Sequence, residues 1–379
     1  MNDEALIPQG VGDRISRLEV IPLLAPLARE YRGSHYRMTH RATIILRVHT
    51  QSGVVGEAYV GDEDKALSTL VKIITDEIAP RAVGSELLAV ERVWAACYPV
   101  TFDILRDRRL GLVALAALDT AIWDAVGKTL GQPLWRLWGG YRARLPLMAI
   151  GGYYGRPIEA LDDEVAEYLD MGLAGMKLKV GGLSPMEDAA RVARVRAASG
   201  PEFILTIDAN QGYTVEDAVD LARRVADYDI TWFEEPVHWA NDRRALRDVR
   251  YRGGLPVCAG QTETSVSGCR DLMETGAIDF CNFDASWSGG PTAWLRMAAV
   301  AHAYDVRVGH HEEPHVSAHL LASQAHGTYA ECFHPDRDPF WWHLIANRPA
   351  LVGGELSLPT GPGLGWELDE QYIARHRAG

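Results

Sequence analysis

The sequence predicts an α/β protein, a modified (β/α)8 barrel with an N-terminal α+β capping domain. From about residue 145, short apolar segments alternate with amphipathic helical segments roughly every 25 residues, a pattern typical of βα units. The length of 379 residues suits a barrel of about 250 residues and a second domain of about 100. Before residue 140 the pattern differs, because strands precede helices there. We therefore expect two domains.

The capping domain is predicted to span residues 1–140. Its predicted strands lie near residues 14–22, 41–50 and 53–60, and its helices near 66–79, 88–98 and 112–130. Lid loops are expected near 24–40 and 58–64, and the first of them is too long for a tight turn. The first loop is rich in Arg, His and Tyr, which suits contact with a polar substrate. The lid residues assigned to substrate specificity are Arg32, His35, Tyr36 and Tyr59.

The barrel is predicted to span residues 141–350, and the segment 351–379 is expected to pack back on the capping domain. The eight strands of the barrel are predicted at 146–151, 175–180, 203–208, 230–234, 256–260, 279–284, 305–310 and 328–332. Helix starts are well marked, since Ser184, Pro185 and Glu187 offer an N-cap, a first-turn proline and a capping-box glutamate. These signals separate consecutive βα units.

Composition and charge exclude several classes of protein. With 47% hydrophobic and 23% charged residues, the chain has the composition of a globular protein. Its formal charge of −13 disfavours nucleic acid and anionic membranes as partners. The N-terminus lacks the basic and apolar regions of a signal peptide, and five scattered cysteines argue against a disulfide framework. We expect a cytoplasmic protein whose anionic substrate is met by local cations or a metal.

The second barrel strand ends in two lysines, Lys177 and Lys179. Alternation along a strand points both ammonium groups to the same side, into the barrel mouth. Two solvated lysines on an edge strand are the alternative, but the apolar flanking residues indicate an interior strand. Burial, mutual repulsion and a nearby metal are each expected to lower a lysine pKa toward about 7–8, where a neutral amine acts as a base.

Polar residues end the next three strands. Strand three ends at Asp208, strand four at Glu234, and strand five in the run Gly260–Glu263. One such acidic residue is usually a helix cap, but oxygen ligands from three successive strand ends can meet one hard cation, and this donor set suits Mg²⁺. The further polar residues beside them are Asn210 and Glu235.

A histidine-rich segment follows strand seven. Asp284, at the end of strand six, can fix the tautomer and raise the basicity of a histidine one strand away. Four histidines fall between residues 310 and 319, so a transition-metal site is the alternative, although no H-E-x-x-H spacing occurs. Strand eight contributes Glu331, which either donates to a developing enolate oxygen or forms a structural salt bridge.

With these residues assembled, the chain resembles the mandelate racemase subgroup of the enolase superfamily over nearly its whole length. Lys179 matches the proton-abstracting base of that subgroup, and Lys177 matches its carboxylate-orienting neighbour. Asp208 and Glu234 match the first two metal ligands. The remaining matches are the Asp284–His311 dyad, the strand-eight Glu331, and His319 in the Ser-Ala-His run.

Two positions depart from the subgroup. Where it places a third glutamate ligand, this chain has Gln261, with Glu263 two residues on. A related subgroup, the glucarate dehydratases, uses an amide oxygen there, so the resemblance implies Gln261 as ligand, and Glu263 remains open as ligand or support. Trp287, which is also assigned to substrate specificity, lies near where some relatives place a strand-six lysine, so the base pair of the muconate-lactonizing subgroup is absent.

The resemblance implies Mg²⁺-dependent abstraction of the α-proton of a carboxylate substrate to give an enolate. Dehydration of a sugar acid to a 2-keto-3-deoxy acid is the favoured outcome, because the lid is polar. Racemisation, epimerisation or cycloisomerisation of a hydroxy acid is the first alternative, and a non-catalytic barrel that binds a metal or an acid is the second. The resemblance also implies a homo-oligomer.

Overall fold

The computed structural model describes residues 12–61 and 65–378. Residues 62–64 of the second predicted lid loop therefore lie outside the described residues. The chain begins with an antiparallel sheet of three strands, β1 (Ile15–Arg32), β2 (Arg37–Thr50) and β3 (Val55–Val60). A long helix, α4 (Arg108–Leu130), packs against β2 and β3 and completes the capping layer.

The helices of the capping layer and of the barrel follow in chain order. They are α1 (Leu67–Lys72), α2 (Ala79–Ala82), α3 (Val90–Cys97), α4 (Arg108–Leu130), α5 (Leu134–Leu137), α6 (Ala160–Asp170), α7 (Pro185–Ser199), α8 (Val215–Arg224), α9 (Asp242–Gly253), α10 (Val266–Glu274), α11 (Pro291–Ala303), α12 (Pro314–Ser323) and α13 (Glu370–His376). A π-helical turn at Ile73–Ile78 joins α1 to α2, so the helix predicted at 66–79 is one continuous helical segment.

Eight parallel strands form the barrel, and each overlaps its predicted position. They are β4 (Arg144–Gly151), β5 (Gly175–Lys179), β6 (Ile204–Asp208), β7 (Ile230–Glu234), β8 (Val257–Ala259), β9 (Phe280–Cys281), β10 (Arg307–Val308) and β11 (Ala330–Phe333). The strand order is β10-β9-β8-β7-β6-β5-β4-β11. The ring closes where the Val308 N–H donates to the His326 carbonyl and the Thr328 N–H donates to the Val308 carbonyl, both at 3.0 Å. The predicted barrel is confirmed.

Local sequence explains how neighbouring barrel elements are placed. A Cβ atom at position 175 would lie 2.3 Å from the Ile204 carbonyl oxygen, so glycine lets β5 approach β6. Helix α7 begins with the predicted capping box, in which the Glu187 N–H donates to Ser184 Oγ and the Ser184 N–H donates to Glu187 Oε2. Strand β5 therefore packs closely on β6, and a short segment leads from the end of β5 into the capped start of α7.

The first predicted lid loop is not a loop over most of its length. Strands β1 and β2 continue as an antiparallel ribbon as far as the pair Arg32–Arg37, with an irregularity between Pro26 and Tyr31. Only residues 33–36 form the turn at its tip. The prediction of a loop at 24–40 was wrong because cross-strand pairing satisfies the backbone N–H and C=O groups whatever the polarity of the side chains.

The C-terminal segment packs on both the barrel and the capping sheet. Its strand β12 (Glu355–Ser357) pairs antiparallel with β4 of the barrel, and α13 then packs on β1 of the capping sheet. The Ala378 N–H donates to the Pro22 carbonyl at 2.9 Å. The tail thus joins the barrel to the capping sheet.

Helix α4 has the length and apolar composition of a membrane span, but 89% of its most apolar window is buried inside the protein. It contacts β2, β3 and α3, and Asp119 on it accepts hydrogen bonds from the N–H and hydroxyl of Thr292. This burial explains its composition, and we interpret it as the central helix between the capping layer and the barrel.

Candidate active site

The two lysines of β5 each bind a carboxylate from another strand. Lys177 Nζ lies 2.7 Å from Glu234 Oε1 and 2.8 Å from Glu331 Oε2, and Lys179 Nζ lies 2.7 Å from Asp208 Oδ2. All five side chains are buried. Both ammonium groups therefore point to the same side of β5, as strand alternation predicts.

The expected lowering of the lysine pKa values is not found in this geometry. Burial alone would lower the pKa of Lys177, but the carboxylates of Glu234 and Glu331 outweigh burial and raise it above the ordinary value. Burial likewise acts on Lys179, and Asp208 outweighs it, so the pKa of Lys179 is well above the usual range. The prediction counted lysine repulsion, burial and a nearby metal but not these direct ion pairs.

Asp208 and Glu234 lie side by side at the ends of β6 and β7, where they are register partners. Burial raises the pKa of Glu234 to about 7 against the pull of Lys177, and the carboxylates of Asp208 and Glu331 act in the same direction as burial. Such crowding of buried carboxylates favours a further cation. In the described part of the chain no three His, Cys, Asp or Glu side chains form a metal-binding group, since these carboxylates hold the lysines instead.

The neighbouring oxygen atoms fit a hard divalent cation. Gln261 follows β8 and lines the same cavity as Asn210, and its Oε1 accepts a long hydrogen bond of 3.2 Å from Asn282 Nδ2. Asn210 Oδ1 is buried and has no hydrogen-bond partner among the described residues. Carboxylate and amide oxygens are ligands that Mg²⁺ and Ca²⁺ prefer. Asp208, Glu234 and Gln261 are therefore the residues that would hold the metal.

Glu235 and Glu263 take different places. Glu235 Oε1 accepts from the Gly260 N–H at 3.2 Å and from Thr262 Oγ1 at 3.1 Å, so it supports the segment that carries Gln261. Glu263 forms an ion pair with Arg243 and is not among the residues that line the active-site cavity. The structure does not place Glu263 at the carboxylate cluster, because its side chain turns toward α9 and α10.

On the other side of the mouth, His311 lies between two carboxylates. Its Nδ1 is 2.9 Å from Asp284 Oδ2, and its Nε2 is 3.1 Å from Glu312 Oε1. Burial would lower the pKa of His311, but Glu312 and Asp284 outweigh burial, and the pKa lies well above the ordinary value. Trp287 packs against the imidazole with ring centroids 4.8 Å apart. A carboxylate therefore faces each ring nitrogen of His311, an arrangement that favours the protonated imidazole.

The backbone at Glu312 and Glu313 is strained. Their φ angles are 54° and 49°, in the left-handed region that non-glycine residues rarely adopt. Each such residue costs about 1–3 kcal/mol and persists only where its surroundings hold it. Here Arg41 of the capping sheet donates to Glu313 Oε1 at 2.9 Å, and the Glu312 N–H donates to Glu331 Oε2 at 3.2 Å. The capping domain thus fixes the turn beside His311.

One cavity of about 690 Å³ contains Lys179, Gln261, Trp287 and His311. Its remaining lining residues are Glu30, Tyr36, Arg37, Met38, Thr39, His40, Lys65, Asn210, Glu312 and Arg337. Tyr36 covers Lys179, whose Nζ lies 5.8 Å from the ring centroid. The cavity therefore joins the lysine side, the histidine side and the lid ribbon.

Other predicted specificity residues lie outside this cavity. Arg32 lines a separate cavity beside α7, and His35 is exposed at the tip of the ribbon. Tyr59 is buried and stacks on His315 with ring centroids 3.6 Å apart. The structure does not bring these three residues to the cavity, because Arg32 and His35 lie at the tip of the ribbon and Tyr59 packs against His315. His319 also lies in the core, where its Nδ1 accepts from the Trp135 N–H at 3.3 Å.

The histidine-rich segment is not one metal-binding cluster. Burial lowers the pKa of His315 and of His319 to about 3, so both are neutral core side chains. His310 accepts from the Ala285 N–H through Nε2 at 3.0 Å. Only His311 of the four histidines lines the cavity.

Several cavity residues escaped sequence reasoning. Glu312 directly follows His311, and this adjacency in the sequence could have indicated that it lines the cavity. Arg337 and Lys65 carry no local motif, and the ribbon's register decides which of its residues face inward. Their roles follow only from their positions in the cavity.

Family comparisons agree with this geometry. Residues 24–139 match the model of the mandelate racemase/muconate lactonizing enzyme N-terminal domain, and residues 160–372 match the enolase C-terminal domain-like model. A solved mandelate racemase/muconate lactonizing enzyme from a marine actinobacterium, in complex with magnesium, is 63% identical with a TM-score of 0.93, covering 97% of this chain and 100% of that one.

Two relatives of assigned function are more distant. The 3,6-anhydro-alpha-L-galactonate cycloisomerase of Streptomyces coelicolor is 27% identical over 92% of this chain and 94% of its own length. The L-rhamnonate dehydratase of Saccharopolyspora erythraea is 29% identical over 92% of this chain and 90% of its own length. Matches to both domain models, over most of the chain, establish that the protein belongs to the mandelate racemase/muconate lactonizing enzyme family of the enolase superfamily.

Proposed function

We propose that this protein abstracts the α-proton of a sugar acid and eliminates water to give a 2-keto-3-deoxy acid. The observation that carries the proposal is that Lys179 and His311 line one cavity from strands that are three positions apart around the ring. A base and an acid placed in this way reach different sides of one substrate carbon skeleton. Binding alone does not require both.

The metal in this proposal is Mg²⁺, held by Asp208, Glu234 and Gln261. When bound, Mg²⁺ supplies positive charge opposite the substrate carboxylate, where negative charge grows as the α-proton leaves. The magnesium complex of the 63% identical relative supports this choice. Lys177 and Glu331 hold each other at 2.8 Å beside this position, where they orient the substrate carboxylate.

Asp208 would hold the metal, and Lys179 would then be free to act as the base, because the ion pair with Asp208 is what raises the pKa of Lys179 above its ordinary value. His311 then gives its Nε2 proton to the β-hydroxyl, and the C–O bond breaks with loss of water. Asp284 remains on Nδ1 and stabilises the charged ring. The polar ribbon residues Arg37 and His40 face the cavity and suit a substrate that carries several hydroxyl groups.

Cycloisomerisation or racemisation is the second candidate, because one relative is a cycloisomerase. Both reactions need a proton from His311 after Lys179 has abstracted one, so the preference for elimination rests on the polar cavity lining, which suits a substrate with several hydroxyl groups. The test is a library of sugar acids assayed with Mg²⁺ for 2-keto acid formation, with recovered substrate examined for inversion. A product without a 2-keto group would favour the isomerase, and no turnover of any acid would favour a non-catalytic barrel.

We also propose a cytoplasmic location and a homo-oligomer. All five cysteines are free and buried, which suits a reducing compartment. Phe102, Ile104 and Leu105 share one loop and are 64%, 94% and 93% exposed, and such apolar patches commonly mark subunit contacts. Light scattering after size-exclusion chromatography tests the assembly, and a monomeric mass would refute it.

A further inference from the structure

Glu312 is the nearest acidic group to the catalytic face of His311. Nδ1 is taken by Asp284, whose other oxygen Oδ1 accepts from the Ser286 N–H at 2.8 Å and from Ser286 Oγ at 2.6 Å. Nε2, the only remaining ring nitrogen, meets Glu312 Oε1 at 3.1 Å. The imidazole is therefore bonded at both ends before any substrate arrives.

The structure holds Glu312 in this place at a conformational cost. Its φ of 54° is maintained from both sides, because its N–H donates to Glu331 and the next residue, Glu313, is bound by Arg41. The Glu312 side chain is nearly buried, at 7% exposure, yet it lines the active-site cavity. A backbone strained so as to bring a carboxylate to Nε2 indicates a role in the site.

We propose that Glu312 is a positioning residue that keeps the proton on His311 Nε2 until a substrate hydroxyl takes its place as acceptor. This inference rests on the proposed dehydration, in which His311 is the acid. Lys179 takes the α-proton, and the electron pair of the broken C–H bond forms the C=C bond. The β-hydroxyl oxygen takes the Nε2 proton as its C–O bond breaks, and water leaves. His311 ends neutral, and solvent restores its proton.

The charges around His311 agree with this role. Asp284 faces it from the end of β9, Glu312 from its own segment, and the carboxylate of Glu234 from the barrel interior. Cations face the other side of Glu312, because Arg337 and Arg41 lower the pKa of its carboxyl, whereas burial lowers the pKa of His310. The groups in direct contact with the ring nitrogens of His311 are carboxylates, and Glu312 contributes the contact on the reacting nitrogen.

The first experiment uses the wild-type, full-length protein with Mg²⁺. Nitrogen NMR of ¹⁵N-histidine-labelled protein, with His311 assigned from the spectrum of His311→Asn, reports whether each ring nitrogen carries a proton. We expect both nitrogens of His311 to be protonated at pH 8, above the ordinary histidine pKa of about 6.5. A neutral, single-tautomer His311 at that pH would overturn the proposal without any variant.

The second experiment compares Glu312→Gln, which keeps the size but loses the charge, with Glu312→Asp, which keeps the charge. We expect the His311 pKa to fall by about 1–3 units in the Gln variant and by less in the Asp variant. Glu216→Gln, at an exposed site on α8, is the matched control and should leave it unchanged. An unchanged His311 pKa in Glu312→Gln would refute the inference.

Activity separates this inference from the proposed function. If an acid substrate is found, the basic limb of the kcat/KM profile should move to lower pH in Glu312→Gln, because an acid catalyst is lost as pH rises through its pKa. A basic limb that stays in place while the pKa of His311 falls would also contradict the inference. If no acid is turned over but the NMR shift occurs, the proposed function fails and the role of Glu312 stands.

Discussion

The two halves of the barrel mouth differ in how their cationic side chains are paired with carboxylates. On the β5–β7 side, each lysine is matched by carboxylates from other strands, with Lys179 on Asp208 and Lys177 on Glu234. On the β9–β10 side, one imidazole lies between two carboxylates. In the first arrangement, the ion pair with Asp208 keeps Lys179 protonated until that contact is lost. In the second, the two carboxylates favour the charged form of His311.

This difference teaches how one cavity can hold a base and an acid at the same pH. Proton affinity is set by which neighbours remain when the substrate binds, not by residue type alone. A metal on Asp208 and Glu234 would act first on the lysine half, because both carboxylates contact the ammonium groups there. The two halves should therefore respond separately to mutation.

The largest expected effect is on exchange of the substrate α-proton with solvent, and it distinguishes the lysine half from the histidine half. Lys179→Ala should lower deuterium incorporation into recovered substrate by about 10²–10⁴-fold, because it removes the abstracting base. His311→Asn should stop dehydration but retain exchange, and Lys72→Ala on the exposed face of α1 is the control. NMR of substrate recovered from heavy water gives the result. Exchange lost only in His311→Asn would reverse the assignment of the two halves.

The histidine half should also depend on the capping domain. Arg41→Met removes the buried cation that contacts Glu313 at 2.9 Å and Asp338 at 3.3 Å. We expect a loss of about 3 kcal/mol in the free energy of unfolding, at the low end for a broken buried pair. The loss is limited because burial raises the pKa of Glu313 to about 8, so that residue can become neutral.

Urea unfolding measures this loss. Arg194→Met, which removes an exposed ion pair with Asp162, serves as control and should change the unfolding free energy little. Equal effects of the two substitutions would mean that Arg41 does not hold the strained turn.

The lysine half should bind the metal through carboxylates. Glu234→Gln is expected to weaken Mg²⁺ binding by at least about 10–100-fold, the range found for residues that only support a metal site. Isothermal titration calorimetry measures the affinity, with the exposed Glu216→Gln as control. Unchanged affinity in Glu234→Gln would remove this residue from the metal site.

The smallest expected effect concerns the amide ligand. Gln261→Glu adds a negative charge to the ligand set, so Mg²⁺ should bind more tightly than in the wild type. The same calorimetry decides it, and the Glu263→Gln variant shows whether the nearby carboxylate contributes. If Gln261→Glu binds Mg²⁺ no more tightly than the wild type, Gln261 is not a ligand. If Glu263→Gln alone weakens Mg²⁺ binding, Glu263 is the ligand instead.

Much of the site could be predicted from strand ends. Lys177, Lys179, Asp208, Glu234 and Gln261 follow from one rule, that residues at the carboxyl ends of barrel strands meet at the mouth. The lid was predicted less well. Which ribbon side chains face inward depends on the pairing register of two long strands, and a one-residue change of register turns every side chain over.

The sequence by itself determined the order of the elements, the barrel and the positions of its strand-end polar residues, because these depend on local periodicity and caps. Tertiary structure alone decided which charges face one another. The lysine pKa values rise, not fall, since carboxylates from β6, β7 and β11 lie within 3 Å of the ammonium groups. Likewise, Glu312 reaches His311 only because Arg41, 271 positions before it in the chain, holds the adjacent Glu313. Such contacts depend on distance in space, which periodicity along the chain does not encode.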